Sequence, residues 1–102
     1  MKSLRQRQSD FALKVAALIV YIYTKGYEIT LGDAYSVPCH KCGTYGHKEN
    51  SKHKKRLAID INLFKNGKYL SKTSDHVIFG EYWESRGGVW GGRFNDGNHY
   101  EY

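Results

Sequence analysis

LAIDINLF, residues 57–64, alternates strictly between large aliphatic residues and other residues. The aliphatic set falls on one side of an extended chain: Leu57, Ile59, Ile61 and Leu63. The other side carries Ala58, Asp60 and Asn62. A period of two is typical of a β-strand that turns one face toward the core. We therefore predict a strand here, and it is the clearest element in the chain.

The segments before this strand predict a helix, a short strand and a long loop. Apolar residues spaced along one helical face predict a helix from about Ser3 to Lys25, which Gly26 ends. Alternating and β-branched residues predict a strand over Tyr27–Leu31. Residues 34–55 show no helical or strand period, and a loop of that length is usually functional or disordered.

The segments after the strand predict a hairpin, a second helix and an extended end. Asn66-Gly67 is a strong signal for a type I′ turn, with Lys68–Leu70 as the returning strand. Ser74 is expected to cap a second helix that runs to about Arg86. Residues 90–102 are broken by glycine and then extended. This order of elements predicts a small α+β fold with an antiparallel sheet.

Length and composition limit the architecture. The chain has 102 residues and a mass of 11.8 kDa, which is room for one domain over residues 1–102. The two cysteines are three positions apart, so a disulfide framework is excluded. The longest apolar stretch, residues 11–23, contains Lys14 and is shorter than the roughly 20 residues of a membrane span. A basic start without a cleavage pattern predicts a protein made in the cytoplasm without a signal peptide.

The charge balance points to an anionic partner without identifying it. Sixteen Lys and Arg against ten Asp and Glu give a net charge of +6 and a pI near 9.3. Nucleic acid, anionic lipid and a bacterial wall rich in carboxylates and phosphates all fit such a surface. The alternative is that the charge only keeps the protein soluble.

Asp60 stands in the middle of an apolar strand, where a carboxylate without a partner would be costly to bury. His53 precedes it at the mouth of the same strand, and Asp96 and His99 stand near the end of the chain. Two imidazoles and one carboxylate, with water as fourth ligand, make the open tetrahedral site of a catalytic zinc. The alternative from the residues alone is that Asp60 pairs with Arg56 or a lysine.

The sequence motifs around these residues resemble those of a known family of zinc peptidases. The pattern S-x-H-x-x-G-x-A-x-D is matched by Ser51, His53, Ala58 and Asp60, and Arg56 departs from it. A distant D-x-x-H is matched by Asp96 and His99. The chain thus resembles the D-alanyl-D-alanine carboxypeptidase and L-alanyl-D-glutamate endolysin peptidases. Its flanking segments resemble phage-encoded members: GDAY (32–35), FGEYWES (79–85) and WGGRFNDGNHY (90–100).

The resemblance implies a fold and a set of roles. The fold would be hedgehog-like or D-Ala-D-Ala-peptidase-like: a small antiparallel sheet with an N-terminal helix, a second helix and the zinc at the sheet. It implies His53, Asp60 and His99 as zinc ligands and Asp96 as the general base. Asp rather than Glu at position 96 favours the endopeptidase branch over the carboxypeptidase branch.

The resemblance also implies how substrate is bound and reached. Family members commonly carry an arginine for a substrate carboxylate after GDAY, where this chain has Ser36. The missing charge would come from one of four other residues: Arg56, Arg93, Lys41 or Lys54. The expected partner is bacterial peptidoglycan, with no nucleic acid. We expect a monomer that stays in the host cytoplasm until a holin gives it access to the wall, where it would serve host lysis.

A second zinc hypothesis concerns the long loop. Cys39, Cys42 and His47 match the first three ligands of a zinc knuckle, which binds single-stranded nucleic acid, but Lys52 stands where the fourth would be. These residues could instead hold a structural zinc, or the cysteines could be free thiols. Elsewhere, His76 is expected to face solvent.

Overall fold

The structure, a computed structural model, describes residues 1–34 and 52–102, without the side chains of His53 and Lys54. Several predicted residues therefore lie outside what it describes: Ser36, Cys39, Lys41, Cys42, His47 and Ser51. The backbone of His53 is described, and it lies in a 3₁₀ helix at Lys52–Lys55.

The described residues form an α+β fold, as predicted. Its helices are α1 (Leu4–Thr24) and α2 (Val77–Ser85), with 3₁₀ turns at Lys52–Lys55, Thr73–His76 and Gly91–Phe94. Its strands are β1 (Glu28–Leu31), β2 (Ala58–Lys65), β3 (Lys68–Leu70), β4 (Val89–Trp90) and β5 (His99–Glu101). They make one antiparallel sheet in the order β1-β2-β5-β4, and β3 also pairs with β2.

Strand β2 is the centre of this sheet, and its alternation is confirmed. Leu57 just before it, together with Ile61 and Leu63, is fully buried in the core, whereas Asp60 and Asn62 on the other face are partly exposed. Because a strand turns successive side chains to opposite faces, the apolar set covers the core while Asp60 stays free of it.

Helix α1 covers the core side of the sheet. Ser3 caps it with a capping box to Gln6, which satisfies two backbone donors at its start. Its buried side chains, Phe11, Leu18 and Ile22, belong to the same hydrophobic cluster as β2. None of the helices in the described part of the chain is long and apolar enough to cross a membrane.

The hairpin after β2 is also confirmed. Asn66 and Gly67 have φ of 54° and 75°, and a type I′ turn requires positive φ at both central positions. The returning strand pairs Lys68 with Lys65, which sets the register of β3 on β2.

The second helix begins later than predicted, and the cap assigned to Ser74 is wrong. Ser74 lies inside the 3₁₀ turn, and α2 begins at Val77. Asp75 provides the side-chain hydrogen bond at the start of this turn instead. Its carboxylate accepts from the backbone N–H of Lys72 at 3.0 Å. Polar residues near a helix start compete for this role, and their spacing alone does not decide which one succeeds.

The expectation that His76 faces solvent is wrong. Its ring is buried at 2% exposure, and its Nδ1 lies 2.8 Å from the hydroxyl of Tyr100, which is fully buried. Burial disfavours the imidazolium and lowers the pKa of His76 to about 4, although the charge of Asp75 opposes the shift. His76 is therefore a neutral core residue that joins the start of α2 to β5.

Candidate metal and catalytic site

The candidate site begins with a cross-strand pair. Asp60 on β2 and His99 on β5 lie directly opposite each other in the antiparallel register. Opposed residues of such a pair have their Cβ atoms about 5 Å apart, so their side chains meet. Here Oδ1 of Asp60 lies 3.3 Å from Nδ1 of His99, and the two side chains are only 19% and 10% exposed. The sheet thus brings together two residues that the sequence predicts as zinc ligands.

Backbone hydrogen bonds hold Asp60 from the β1 side. Its carbonyl accepts from the N–H of Gly32 at 2.7 Å, and its own N–H donates to the carbonyl of Asp33 at 2.9 Å. A Cβ at position 32 would lie 3.0 Å from the carbonyl oxygen of Asp60, so glycine suits this close approach. The first two residues of the GDAY segment therefore brace the strand at the position of Asp60.

A tight turn places Asp96 near the same imidazole. The turn follows the 3₁₀ helix, with Asn95 at φ 61°. The N–H of Asp96 donates to the carbonyl of Gly91 at 2.9 Å, and the N–H of His99 donates to the carbonyl of Asp96 at 3.1 Å. Oδ2 of Asp96 lies 4.0 Å from Nδ1 of His99, and the Asp96 side chain is 52% exposed. Because its carboxylate is half-exposed, Asp96 can exchange a proton with a molecule bound beside His99.

Glu101 completes the surroundings of His99, and the sequence reasoning missed it. Its Oε1 lies 2.8 Å from Nε2 of His99, the ring nitrogen that faces away from Asp60. The available signal was the spacing, because residues two apart on a strand share a face. The H-x-E stretch could therefore have been recognised once residues 99–101 were assigned to a strand.

Three carboxylates thus surround one imidazole. Burial of the His99 ring lowers its pKa, but hydrogen bonds to Asp60 and Glu101 and the charges of both outweigh burial, so the pKa of His99 is raised above its ordinary value. The site is therefore electronegative and attracts positive charge, which is the character that a cation site requires.

The donor atoms fit a zinc ion as far as they are described. Two ligand atoms at about 2.0–2.2 Å from a tetrahedral zinc lie roughly 3.3–3.6 Å apart, and the Asp60 and His99 atoms are 3.3 Å apart. Within residues 1–34 and 52–102, no group of three or more His, Cys, Asp or Glu side chains is arranged to hold a metal. The third predicted ligand, His53, has its side chain outside the described set, and its 3₁₀ helix is joined to β2 by a hydrogen bond from Leu57 N–H to Lys52 C=O at 2.9 Å.

The two arginines predicted to bind substrate occupy different surroundings. Arg56, at φ 56°, is exposed and lines a mostly apolar cavity of about 410 Å³ with Phe11 and Ile59. Arg93 forms a bidentate ion pair with Glu84, at 2.9 and 2.7 Å.

Comparison with protein families shows which family the chain matches. A family model described as D-alanyl-D-alanine carboxypeptidase matches residues 45–102, more than half of the chain. The matched range includes His53, Asp60, Asp96 and His99. No curated protein matches the chain.

Proposed function

The chain belongs to the D-alanyl-D-alanine carboxypeptidase family, and on that premise we propose that it is a zinc peptidase that hydrolyses the stem peptides of bacterial peptidoglycan. The observation that carries the proposal is the opposition of Asp60 and His99 across β2 and β5, with their side-chain atoms 3.3 Å apart and mostly buried. A carboxylate and an imidazole at that separation suit a catalytic zinc site.

In this proposal, His53, Asp60 and His99 hold the metal. A zinc ion held there would supply a ligated water with its pKa lowered toward 7 and would polarise the scissile carbonyl. The pairing of β2 with β5 holds Asp60 and His99 in position, so these two side chains need little reorganisation during the reaction.

Asp96 acts as general base and then general acid. Its carboxylate, near Nδ1 of His99 and half-exposed, takes a proton from the attacking water. As the new C–O bond forms and the peptide C–N bond breaks, Asp96 passes that proton to the amine that leaves. The carboxylate returns to its starting state, and the two products are a new carboxyl terminus and a new amino terminus.

We assign the substrate bond to L-Ala-D-Glu, as in phage endolysins, because Asp rather than Glu stands three residues before the last ligand. D-Ala-D-Ala carboxypeptidase activity is the alternative within the same family. Arg56 and Arg93 are the described candidates for holding a substrate carboxylate, while Ser36 stands where relatives commonly have arginine. Peptidoglycan is the expected partner, a holin would give access to the wall for host lysis, and the enzyme would act as a monomer.

Mass spectrometry of products released from purified peptidoglycan tests this function. The zinc-loaded protein is compared with a chelated sample and with Asp96→Ala. New L-Ala and D-Glu termini, absent from both controls, are the expected result. Free D-Ala would replace the endopeptidase with the carboxypeptidase. Zinc-loaded protein that releases no product would overturn the peptidoglycan assignment.

A further inference from the structure

We propose that Glu101 is a positioning residue that orients the imidazole of His99 for metal binding. The inference rests on the proposed zinc site and adds to it a residue that is not one of its ligands. It concerns equilibrium metal binding, so it can be measured without any substrate.

The two nitrogens of His99 face different carboxylates. Nδ1 lies 3.3 Å from Asp60, whereas Nε2 lies 2.8 Å from Oε1 of Glu101. The Nε2 contact has the usual length of a hydrogen bond, so Glu101 can accept the ring proton from Nε2 when Nδ1 serves as the metal donor. In that tautomer the lone pair of Nδ1, on the side of the ring that lies 3.3 Å from Asp60, would be available to a metal.

The position of Glu101 is itself fixed by the sheet. Glu101 pairs with Ala58 of β2 on one side and with Val89 of β4 on the other. Its carbonyl accepts a hydrogen bond from Nε1 of the buried Trp83 at 2.8 Å. With its backbone held from three directions and its side chain only 20% exposed, Glu101 can hold the His99 ring at a constant angle.

Ala58 has a part in this arrangement. It lies opposite Glu101 and two residues before Asp60, so the three side chains share one face of the sheet. Ala58 is fully buried, and its methyl group leaves room for the carboxylate of Glu101 to reach Nε2. A larger residue would push Glu101 away from the ring.

Loss of such a carboxylate typically weakens metal binding 10–100-fold, because the ring loses both its orientation and part of its basicity. The test measures zinc affinity by competition with a chelator for five proteins: the unchanged chain, Glu101→Gln, Glu101→Ala, His99→Ala and Glu28→Gln. Glu28 is an exposed glutamate on β1, so its variant controls for loss of one negative charge. Circular dichroism of the metal-free proteins checks that each one folds.

We expect Glu101→Ala to bind zinc about 10–100-fold more weakly than the unchanged protein. Glu101→Gln should fall between them, since its amide oxygen still accepts from Nε2, and Glu28→Gln should match the unchanged protein. The visible absorption of the Co²⁺-loaded protein should shift in Glu101→Ala, because the angle of the His99 ring changes. A role in sheet stability alone would leave this spectrum unmoved.

The outcomes separate this inference from the proposed function. Zinc binding that depends on His99 but is unchanged in both folded Glu101 variants would overturn the role of Glu101 and leave the peptidase intact. A zinc affinity that is unchanged in His99→Ala would overturn the proposed zinc site, and the role of Glu101 with it.

Discussion

Asp60 on β2 and His99 on β5 lie directly opposite each other, with Oδ1 and Nδ1 3.3 Å apart and both side chains mostly buried. The sheet, rather than a flexible loop, sets this separation. The pair therefore provides a test of the metal site that is independent of the long loop.

Removing His99 should remove the catalytic metal. In His99→Ala the imidazole donor is lost, and Asp60 with one other ligand does not hold zinc tightly. Elemental analysis after dialysis should show about one zinc in the unchanged protein and close to none in the variant. The double variant Cys39→Ser/Cys42→Ser should keep its zinc, and the reverse pattern would move the metal to the cysteine loop.

Removing Asp96 should spare the metal and stop the chemistry. A positioned general base contributes typically 10²–10⁴-fold, so Asp96→Ala should lower kcat by about that factor. Zinc content should be unchanged, because Asp96 is not among the predicted ligands. A variant that loses its zinc along with its activity would show that Asp96 is a ligand instead.

Arg93 can be tested through its partner Glu84. If Arg93 binds a substrate carboxylate, Arg93→Ala should raise KM with little change in kcat, since only binding is lost. Glu84→Gln should not raise KM, because it releases the guanidinium from its bidentate pair. Steady-state kinetics on a soluble stem peptide measures both. Equal KM values for all three proteins would leave Arg56 as the described candidate.

Gly91 should not tolerate a side chain. A Cβ there would collide with the carbonyl oxygen of Asp96 and lie 2.7 Å from Cβ of His99. Gly91→Ala should destabilise the protein by about 1–3 kcal/mol and weaken zinc binding, because the turn must shift. In Gly26→Ala, no atom lies within 4 Å of the new Cβ, and the strain at φ 85° affects stability alone. Urea unfolding and zinc titration compare the two, and intact zinc affinity in Gly91→Ala would contradict the expectation.

His76 should make the fold sensitive to acid. Its pKa is about 4 in the folded protein against about 6.5 unfolded, so the unfolded chain binds the proton more readily. Stability from this group is complete above pH 6.5 and is lost as the pH falls toward 4, by up to about 3 kcal/mol. His99, whose pKa is raised, acts in the opposite sense and loses its contribution as the pH rises.

The control for that experiment is His76→Gln, which cannot take up a proton. Urea unfolding of both proteins at pH 7 and pH 4.5 should show a larger loss in the unchanged protein. Parallel losses in the two proteins would show that other groups cause the acid sensitivity.

Local sequence predicted the elements well where the pattern is repeated along the segment itself. The alternation of LAIDINLF and the Asn66-Gly67 turn depend on neighbouring residues, so the strand and hairpin could be assigned directly. The burial of His76 depends on Tyr100, which is distant in sequence, and no local pattern reports such a contact. The role of Glu101 likewise depends on knowing that residues 99–101 are a strand.

The candidate site was predicted in part, because some of its residues lie in recognisable short motifs and others meet only in the folded sheet. Asp60, Asp96 and His99 were found by resemblance of short motifs, and the structure brings them to one place. The assignment of His53, Asp60 and His99 as zinc ligands and of Asp96 as base stays a prediction.

If the proposed zinc site is correct, the pairing of β2 with β5 couples metal binding to folding. Asp60 and His99 are far apart in an unfolded chain, so only the folded sheet presents both donors to an ion. Whatever free energy the ion gains on binding is therefore added to the free energy of unfolding, about 2.7 kcal/mol when free zinc is a hundred times its Kd. The concentration of free zinc would then determine the fraction of this small protein that is folded, as well as the fraction that is active.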